Sequence, residues 1–213
     1  MPKPTLAALP NGPYYLFASM EATPVVHLQR ASGEPCLTPR GVALCRCGGS
    51  KRKPFCDGTH SSNGFSSANT ADPSLDRRET YAGKHVTIYD NRAICAHAGV
   101  CTDRLKSVFR YGQEPWIEPD GAEAREIIET IARCPSGALS YAIDGVEAQP
   151  PARPEMVTVT NNGPYAVTGG IELMGVRFGE GASKEHYTLC RCGASKNKPF
   201  CDGSHWAVGF QDP

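Results

Sequence analysis

Eight cysteine and histidine side chains recur in two identical patterns of spacing. Each pattern reads C-x-C-x8-C-x3-H, and the members are Cys45, Cys47, Cys56 and His60 in one copy and Cys190, Cys192, Cys201 and His205 in the other. Two cysteines separated by one residue point the same way from an extended strand. A cysteine and a histidine four residues apart share one side of a helical turn. Thiolate and imidazole ligands that converge in this way predict two metal sites.

The segments that must position these residues are repeated as well. The phrase NGPY occurs at 11–14 and 162–165, ahead of each ligand pattern, among short apolar runs separated by Gly and Pro. Such runs predict short strands joined by turns. The chain therefore contains an internal duplication with an insertion between the copies. We divide it into a first copy (1–70), an insert (71–150) and a second copy (151–213).

Both ligand patterns resemble the CDGSH iron–sulfur domain family. The family motif C-x-C-x2-[ST]-x3-P-x-C-D-G-[SAT]-H is met at every position by residues 45–60 and 190–205. The resemblance implies that the three cysteines and one histidine of each copy hold a [2Fe–2S] cluster. Residue types alone leave a structural Cys3His zinc site as the alternative. The resemblance also implies that the copies pair within the chain as a pseudo-twofold dimer, with the NGPY strands as the exchanged elements and their tyrosines in the core.

The single histidine of each set has a predicted chemical consequence. Replacing one thiolate by a neutral imidazole makes the oxidised cluster less negative by one charge, which favours electron uptake, as in Rieske centres. The imidazole also keeps an N–H that can release a proton, so reduction and protonation are expected to be coupled.

The insert carries a third group of cysteines. Cys95 and Cys101 occupy the first and third places of the C-x2-C-x2-C triplet of bacterial ferredoxins, and Ala98 occupies the middle place. Cys134-Pro135 supplies the remote ligand of that pattern. The insert thus resembles a divergent single-cluster ferredoxin. Three thiolates predict a [3Fe–4S] cluster; a [4Fe–4S] cluster completed by His97 and a fold without any cluster are the alternatives.

Secondary-structure signals in the insert favour a ferredoxin-like order, β-α-β-α-β. KHVTIYDN, WIEPD and ALSYAID are predicted strands, and TDRLKSVF is a predicted short helix. AEAREIIETIARC places isoleucines on one helical face and charges on the other, which predicts an amphipathic helix. The predicted fold class is α+β, with two small β-rich CDGSH-type domains and a ferredoxin-like domain inserted between them.

Charge and composition exclude several classes of function. Lys plus Arg and Asp plus Glu both number 22, so no overall charge indicates nucleic-acid or membrane binding. No apolar run is long enough for a membrane span. Ten cysteines, nine of them at metal-ligand spacing, without a secretory signal predict reduced thiols and a cytoplasmic location. Residues 1–70 carry a net charge of +4 and residues 71–150 carry −4, which favours docking of the insert on the first copy.

Basic residues lie between the second and third cysteines of both ligand patterns. They are Lys51, Arg52, Lys53, Lys196 and Lys198, and they indicate either a solvated loop or docking of an acidic partner. No Ser/His/Asp set, phosphate-binding loop or acid/base carboxylate pair indicates substrate chemistry, so we expect no enzymatic activity. The sequence predicts a monomeric electron-transfer protein that docks with a redox partner. The alternatives are a carrier that donates clusters to apo-proteins and a zinc-stabilised interaction module.

Overall fold

The computed structural model describes residues 4–17, 27–36 and 41–212. The predicted strand PVVHLQR therefore lies only in part within the described residues. The described part of the first copy contains four short strands, which are β1 (Thr5–Ala8), β2 (Tyr14–Phe17), β3 (Leu28–Arg30) and β4 (Gly41–Leu44).

The insert contains four strands and two helices, in the order β5 (Glu79–Ala82), β6 (Val86–Asp90), α1 (Val100–Arg104), α2 (Ala124–Ile131), β7 (Leu139–Ile143) and β8 (Val146–Glu147). The second copy contains β9 (Met156–Val159), β10 (Tyr165–Thr168), β11 (Glu172–Met174), β12 (Tyr187–Leu189) and the short helix α3 (Ser204–Ala207). Short 3-10 helices cover Thr59–Ser61, Pro73–Leu75 and Arg92–Ile94.

The two copies exchange strands. One sheet has the order β11-β1-β2-β4 and another has the order β12-β10-β9-β3, so each sheet takes one edge strand from the other copy. Leu6 in β1 is paired with Leu173 in β11, and Leu28 in β3 is paired with Val157 in β9, in parallel register. The prediction that the NGPY strands are exchanged is wrong, because β2 and β10 lie inside the sheet of their own copy.

A single apolar core lies between these two sheets. Alternating residues of β1, β2, β9 and β10 point inwards, as expected for strands with one buried face. The NGPY tyrosines Tyr14 and Tyr165 are fully buried at its centre, with ring centroids 6.0 Å apart in an edge-to-face arrangement. The prediction that the tyrosines belong to the core is therefore confirmed for Tyr14 and Tyr165. It is wrong for Tyr15, which is only half-buried because it lies on the opposite face of β2.

The insert forms its own sheet, in the order β5-β6-β7-β8 with antiparallel pairing throughout. Helix α2 buries Ile127 and Ile131 on a core that includes Ile88 and Phe109. The segment WIEPD, predicted to be a strand, forms only the bridge between Phe109 and Ile117, since the flanking prolines lack the N–H that a ladder needs. Both helices therefore lie between β6 and β7, and the predicted β-α-β-α-β order is not formed.

Among the described residues, no helix has the length and apolar character needed to cross a lipid bilayer.

Candidate metal centres

The first ligand loop is closed by hydrogen bonds onto the end of β4. The Cys45 N–H donates to the Pro54 carbonyl at 2.7 Å, and the Cys56 N–H donates to the Ala43 carbonyl at 2.8 Å. The Ser50 hydroxyl donates to the Phe55 carbonyl at 2.7 Å. The second loop repeats these bonds, with Ser195 donating to Phe200 at 2.8 Å. The hydroxyl of the motif thus fixes the turn that returns the third cysteine to the first two.

The four candidate ligands of each copy are arranged as two pairs. Cys45 Sγ lies 3.9 Å from Cys47 Sγ, and Cys56 Sγ lies 3.4 Å from His60 Nδ1. The second copy gives 3.8 Å for Cys190 and Cys192, and 3.4 Å for Cys201 and His205.

These separations are those of two ligands on one tetrahedral metal. Metal–sulfur bonds of about 2.3 Å and metal–nitrogen bonds of about 2.0 Å at a tetrahedral angle place the ligand atoms roughly 3.5–3.8 Å apart. Among the described residues, no three Cys, His, Asp or Glu side chains converge on a single ion. Two pairs fit a unit with two irons, one pair on each iron.

An aspartate follows the third cysteine in each copy and holds the turn before the histidine. Asp57 accepts hydrogen bonds from Thr59 and from the Lys51 N–H, and these bonds hold the pKa of its carboxyl well below the usual range. Burial opposes ionisation of Asp202, but bonds from Ser204 and Lys196 outweigh this effect and lower its pKa. Both carboxylates therefore stay ionised and fix the loops over a wide pH range.

Several ligand thiols of the second copy have shifted pKa values. Burial raises the pKa of Cys201 to about 12. Hydrogen bonding between Cys190 and Cys192 raises the pKa of Cys190, whose burial acts in the same direction, and lowers that of Cys192 to about 7. Burial lowers the pKa of His205, which favours the neutral imidazole that metal binding requires. In the first copy, burial raises the pKa of Cys45. Metal binding must therefore displace protons from the raised thiols.

Each copy completes the ligand loop of the other. The Tyr14 hydroxyl lies 3.0 Å from the Cys190 carbonyl and 2.8 Å from the Pro199 carbonyl. The Tyr165 hydroxyl lies 2.9 Å from the Cys45 carbonyl and 3.0 Å from the Pro54 carbonyl. Full burial raises the pKa of both phenols, so each remains a hydrogen-bond donor.

The two ligand loops also touch through glycines of the repeated CRCG. A Cβ atom on Gly48 would lie 2.4 Å from the Cys192 carbonyl oxygen, and one on Gly193 would lie 2.6 Å from the Cys47 carbonyl oxygen. No side chain fits at either position. The candidate ligands Cys47 and Cys192 are therefore at the contact between the loops.

Sequence reasoning missed two arginines that support the loops. Arg46 and Arg191 stand between the paired cysteines, and both are buried. Arg191 donates to the carbonyls of Gly163 and Thr160 and pairs with Asp212. The Arg46 guanidinium lies 5.0 Å from the centre of the Tyr14 ring. The repeated C-R-C of both copies was a signal that these arginines have a role. Neither arginine is a metal ligand, so the ligand pattern did not include them.

The surfaces beside the two histidines differ in their surroundings. We call residues 51–52 and 58–60 the first mouth, and residues 196–197 and 203–205 the second mouth. His60 is half-buried and a Cβ on Gly58 would meet no atom within 4 Å, whereas His205 is 4% exposed and a Cβ on Gly203 would lie 2.7 Å from the His97 ring. The insert thus covers the second mouth, and Gly58 at the first mouth faces open space.

The three cysteines of the insert line one cavity of about 320 Å³. Cys95 follows the 3-10 helix Arg92–Ile94, Cys134 follows α2, and Cys101 lies on α1. Burial raises the pKa of Cys101 to about 11, helped by the neighbouring thiols, and raises that of Cys95. Three sulfur donors around one cavity fit a cluster bound by three thiolates.

His97 and Ala98 also line this cavity, but neither adds an evident fourth ligand. Ala98 has no donor atom. The His97 ring carbons pack against Gly203, and its carbonyl accepts a hydrogen bond from the Trp206 indole at 3.1 Å. His97 therefore lies between the cavity of the three insert cysteines and the second mouth.

Comparison with known families matches three segments. The family described as "Iron-binding zinc finger CDGSH type" matches residues 11–61 and 162–206, and "Divergent 4Fe-4S mono-cluster" matches residues 81–144. Uncharacterized protein YjdI of Escherichia coli (strain K12) is 39% identical over 61 residues, which are 29% of this chain and 80% of YjdI. YjdI of Escherichia coli O157:H7 gives the same values.

No solved structure matches the chain at a significant level. The family matches fall on the two ligand patterns and on the third cysteine group between them. The chain therefore belongs to the CDGSH iron–sulfur family, with two CDGSH segments that flank a divergent mono-cluster ferredoxin-type domain.

Proposed function

We propose that this iron–sulfur protein transfers single electrons to or from a partner protein and has no substrate turnover of its own. Two [2Fe–2S] clusters and a third cluster, when bound, would supply the one-electron chemistry. The proposed ligands are Cys45, Cys47, Cys56 and His60 for the first cluster, Cys190, Cys192, Cys201 and His205 for the second, and Cys95, Cys101 and Cys134 for the third.

The observation that carries this proposal is the contact between neighbouring ligand loops. Gly48 touches Cys192, and Gly193 touches Cys47, across the boundary between the copies. His97, two residues from Cys95, touches Gly203, two residues from Cys201. Three ligand sets are thus joined in the order third, second, first. Because electron-transfer rates fall steeply with distance, direct contact between the loops suits a relay.

Reciprocal contacts support a pseudo-twofold pair inside one monomer. Tyr14 of the first copy donates to the second ligand loop, and Tyr165 of the second copy donates to the first. β3 and β11 are exchanged in the same reciprocal way. Each loop therefore depends on residues of the other copy, as in a dimer fused into one chain.

For the third centre, three thiolates favour a [3Fe–4S] cluster. The family description names a 4Fe-4S cluster, which needs one more ligand than the three cysteines provide. His97 lines the cavity, but its ring carbons pack on Gly203. Iron analysis separates the two forms, since the filled protein would contain about seven irons with [3Fe–4S] and about eight with [4Fe–4S].

The test is spectroscopic, on protein purified without oxygen and then oxidised or reduced stepwise. Reversible reduction of all centres, with a [3Fe–4S] signal in the EPR spectrum of the oxidised state, is the expected result. A colourless protein that carries stoichiometric zinc would contradict the proposal and support a zinc-stabilised interaction module.

Cluster donation to apo-proteins is the second candidate function. It is favoured by the half-buried Cys56 and His60 and by the open space at Gly58. Mixing the filled protein with an apo-ferredoxin distinguishes the two functions. Transfer of colour to the ferredoxin supports a carrier, and reversible reduction without loss of colour supports electron transfer.

A further inference from the structure

The two mouths have the same backbone and different neighbours. Gly58 and Gly203 both adopt left-handed conformations, with φ of 89° and 84°. Each is followed by a short helical turn that carries the histidine. Any difference in what the mouths can bind therefore arises from the residues packed around them.

The second mouth is occupied by the chain itself. The Asn197 side-chain amide donates to the Ala93 carbonyl at 2.7 Å, and the Thr70 and Ala71 N–H groups donate to the Lys196 carbonyl at 2.8 and 3.1 Å. The Trp206 indole donates to the His97 carbonyl. The insert and the preceding Thr70 thus cover this mouth as a docked partner would.

The first mouth presents the corresponding surface without that cover. Gly58 has open space where Gly203 meets His97. Arg52 stands where the second copy has Asn197, so the position that contacts the insert in one copy is an exposed cation in the other. The first mouth therefore has open space at Gly58 and carries one more positive charge than the second.

The charges around the first mouth favour an anionic partner. The side chains of Lys51 and Arg52 are exposed. The neighbouring Asp57 is exposed and ionised, but its counterpart Asp202 carries the same charge beside the second mouth, so Asp57 does not offset the extra charge of Arg52. Lys53 Nζ bonds to the Ser50 carbonyl at 2.8 Å. Residues 61–70, which follow the mouth, contain no charged residue. Complementary charge accelerates and orients protein docking, so carboxylates on the partner are expected to face these cations.

We propose that the first mouth is the docking surface for an acidic redox protein, and that the second mouth serves only the insert. This assignment rests on the proposed electron-transfer function and adds which of two nearly identical mouths a partner uses. Electrons would then pass between the insert and an external protein by way of both CDGSH copies.

The experiment measures binding of an acidic [2Fe–2S] ferredoxin, used as the probe, by calorimetry at low ionic strength. Lys51→Glu and Lys196→Glu are a matched pair, because both lysines are exposed and both follow the motif serine. We expect K51E to weaken binding about tenfold and K196E to change it less than about twofold. Arg52→Asn gives the first mouth the residue found in the second and should weaken binding about threefold.

Equal weakening by K51E and K196E, or no binding of the probe to the native protein, would overturn the assignment. R52N is the control for misfolding, because asparagine already occupies the corresponding position, 197, of the second copy. The electron-transfer proposal fails separately, if the native protein is not reversibly reduced in a titration without a partner. Binding of the probe needs no electron transfer, so the two failures are distinguishable.

Discussion

The two CDGSH copies have the same ligand geometry in different environments. Their cysteine pairs are 3.9 and 3.8 Å apart, and both cysteine–histidine pairs are 3.4 Å apart. His205 and Cys201 are nevertheless buried, whereas His60 and Cys56 are half-buried. Ligand spacing is thus set by hydrogen bonds inside the motif. Access to the ligands is set by whatever packs over the mouth.

Charge alone led to a wrong expectation about this packing. The net charges of +4 and −4 favoured docking of the insert on the first copy, but its observed contacts are with the second. Gly137 packs against Ser183, Arg153 donates to the Ala132 carbonyl, and Asn91 donates to the Glu180 carbonyl. Attraction between exposed charges is weak and screened, so specific hydrogen bonds and packing decide the position.

The largest expected difference between the copies is the rate of iron loss to a chelator. Five hydrogen bonds hold the insert, with Asn69 and Thr70 before it, over the second mouth and the adjacent Trp206. Breaking each bond costs about 1 kcal/mol, and less where the bond is exposed. This cover should therefore slow iron release from the second site roughly hundredfold. Absorbance decay of Cys56→Ala, which keeps the second site, and of Cys201→Ala, which keeps the first, checks this. Equal decay rates would show that the cover does not control access.

Stabilising the insert should slow iron loss from the second site and leave the rate at the first site unchanged. Asp90 is buried, with Arg92 Nε 3.4 Å from one oxygen, and neither oxygen has a hydrogen-bond partner among the described residues. Burial raises the pKa of Asp90 from 3.8 to about 6. Between about pH 4 and pH 6 the native state therefore keeps a proton that the unfolded chain has released. The free energy of unfolding decreases as the pH rises through this range.

Asp90→Asn should remove this pH dependence and stabilise the insert by about 2 kcal/mol at pH 7. Thermal unfolding of both proteins at pH 4 and pH 7 is the measurement. A slope with pH that is identical in the native and D90N proteins would exclude Asp90 as its source.

The buried tyrosines test whether the copies depend on each other equally. Tyr14→Phe removes the donor to the second ligand loop, and Tyr165→Phe removes the donor to the first. Two carbonyls lose a buried partner in each case, so each change should cost roughly 1.5 kcal/mol of folding stability. We expect Y14F to speed iron loss from the second site and Y165F from the first. Faster loss from the mutated copy itself would contradict the crossed arrangement.

The ligand patterns were predictable because each is local. A cysteine–histidine spacing of four and a C-x-C pair are brought together by sixteen consecutive residues, 45–60 or 190–205, and their own hydrogen bonds. Helix α2 was predictable for the same reason, since Ile127 and Ile131 mark its buried face.

The contacts between segments were not predictable from one sequence. The parallel pairing of β1 with β11 and of β3 with β9 joins residues far apart in the chain. A short alternating strand specifies its buried face but not its neighbour. The roles of Gly48 and Gly193 were hidden for the same reason, because only the packed loops show what a side chain would meet. Thus the sequence predicted the candidate ligands, and the fold was needed to show that the two mouths differ.

The smallest expected effect separates the insert contact from backbone strain. Gly58→Ala and Gly203→Ala place an alanine at nearly the same positive φ, so each should lose about 1 kcal/mol from strain. Only at Gly203 would the new Cβ meet the His97 ring, at 2.7 Å, which should add about 1 kcal/mol from overpacking. Thermal unfolding of the two variants measures the difference.

Combining Gly203→Ala with His97→Ala should remove the extra loss, since the ring that the methyl group meets is then absent, while the strain common to both glycines remains. The same His97→Ala change paired with Gly58→Ala should be additive, because Gly58 has no neighbour in the insert. Equal losses in the two single variants would mean that His97 does not rest on the second mouth in solution. The difference in access between the copies would then need another cause, such as the hydrogen bonds from the Thr70 and Ala71 N–H groups to the Lys196 carbonyl.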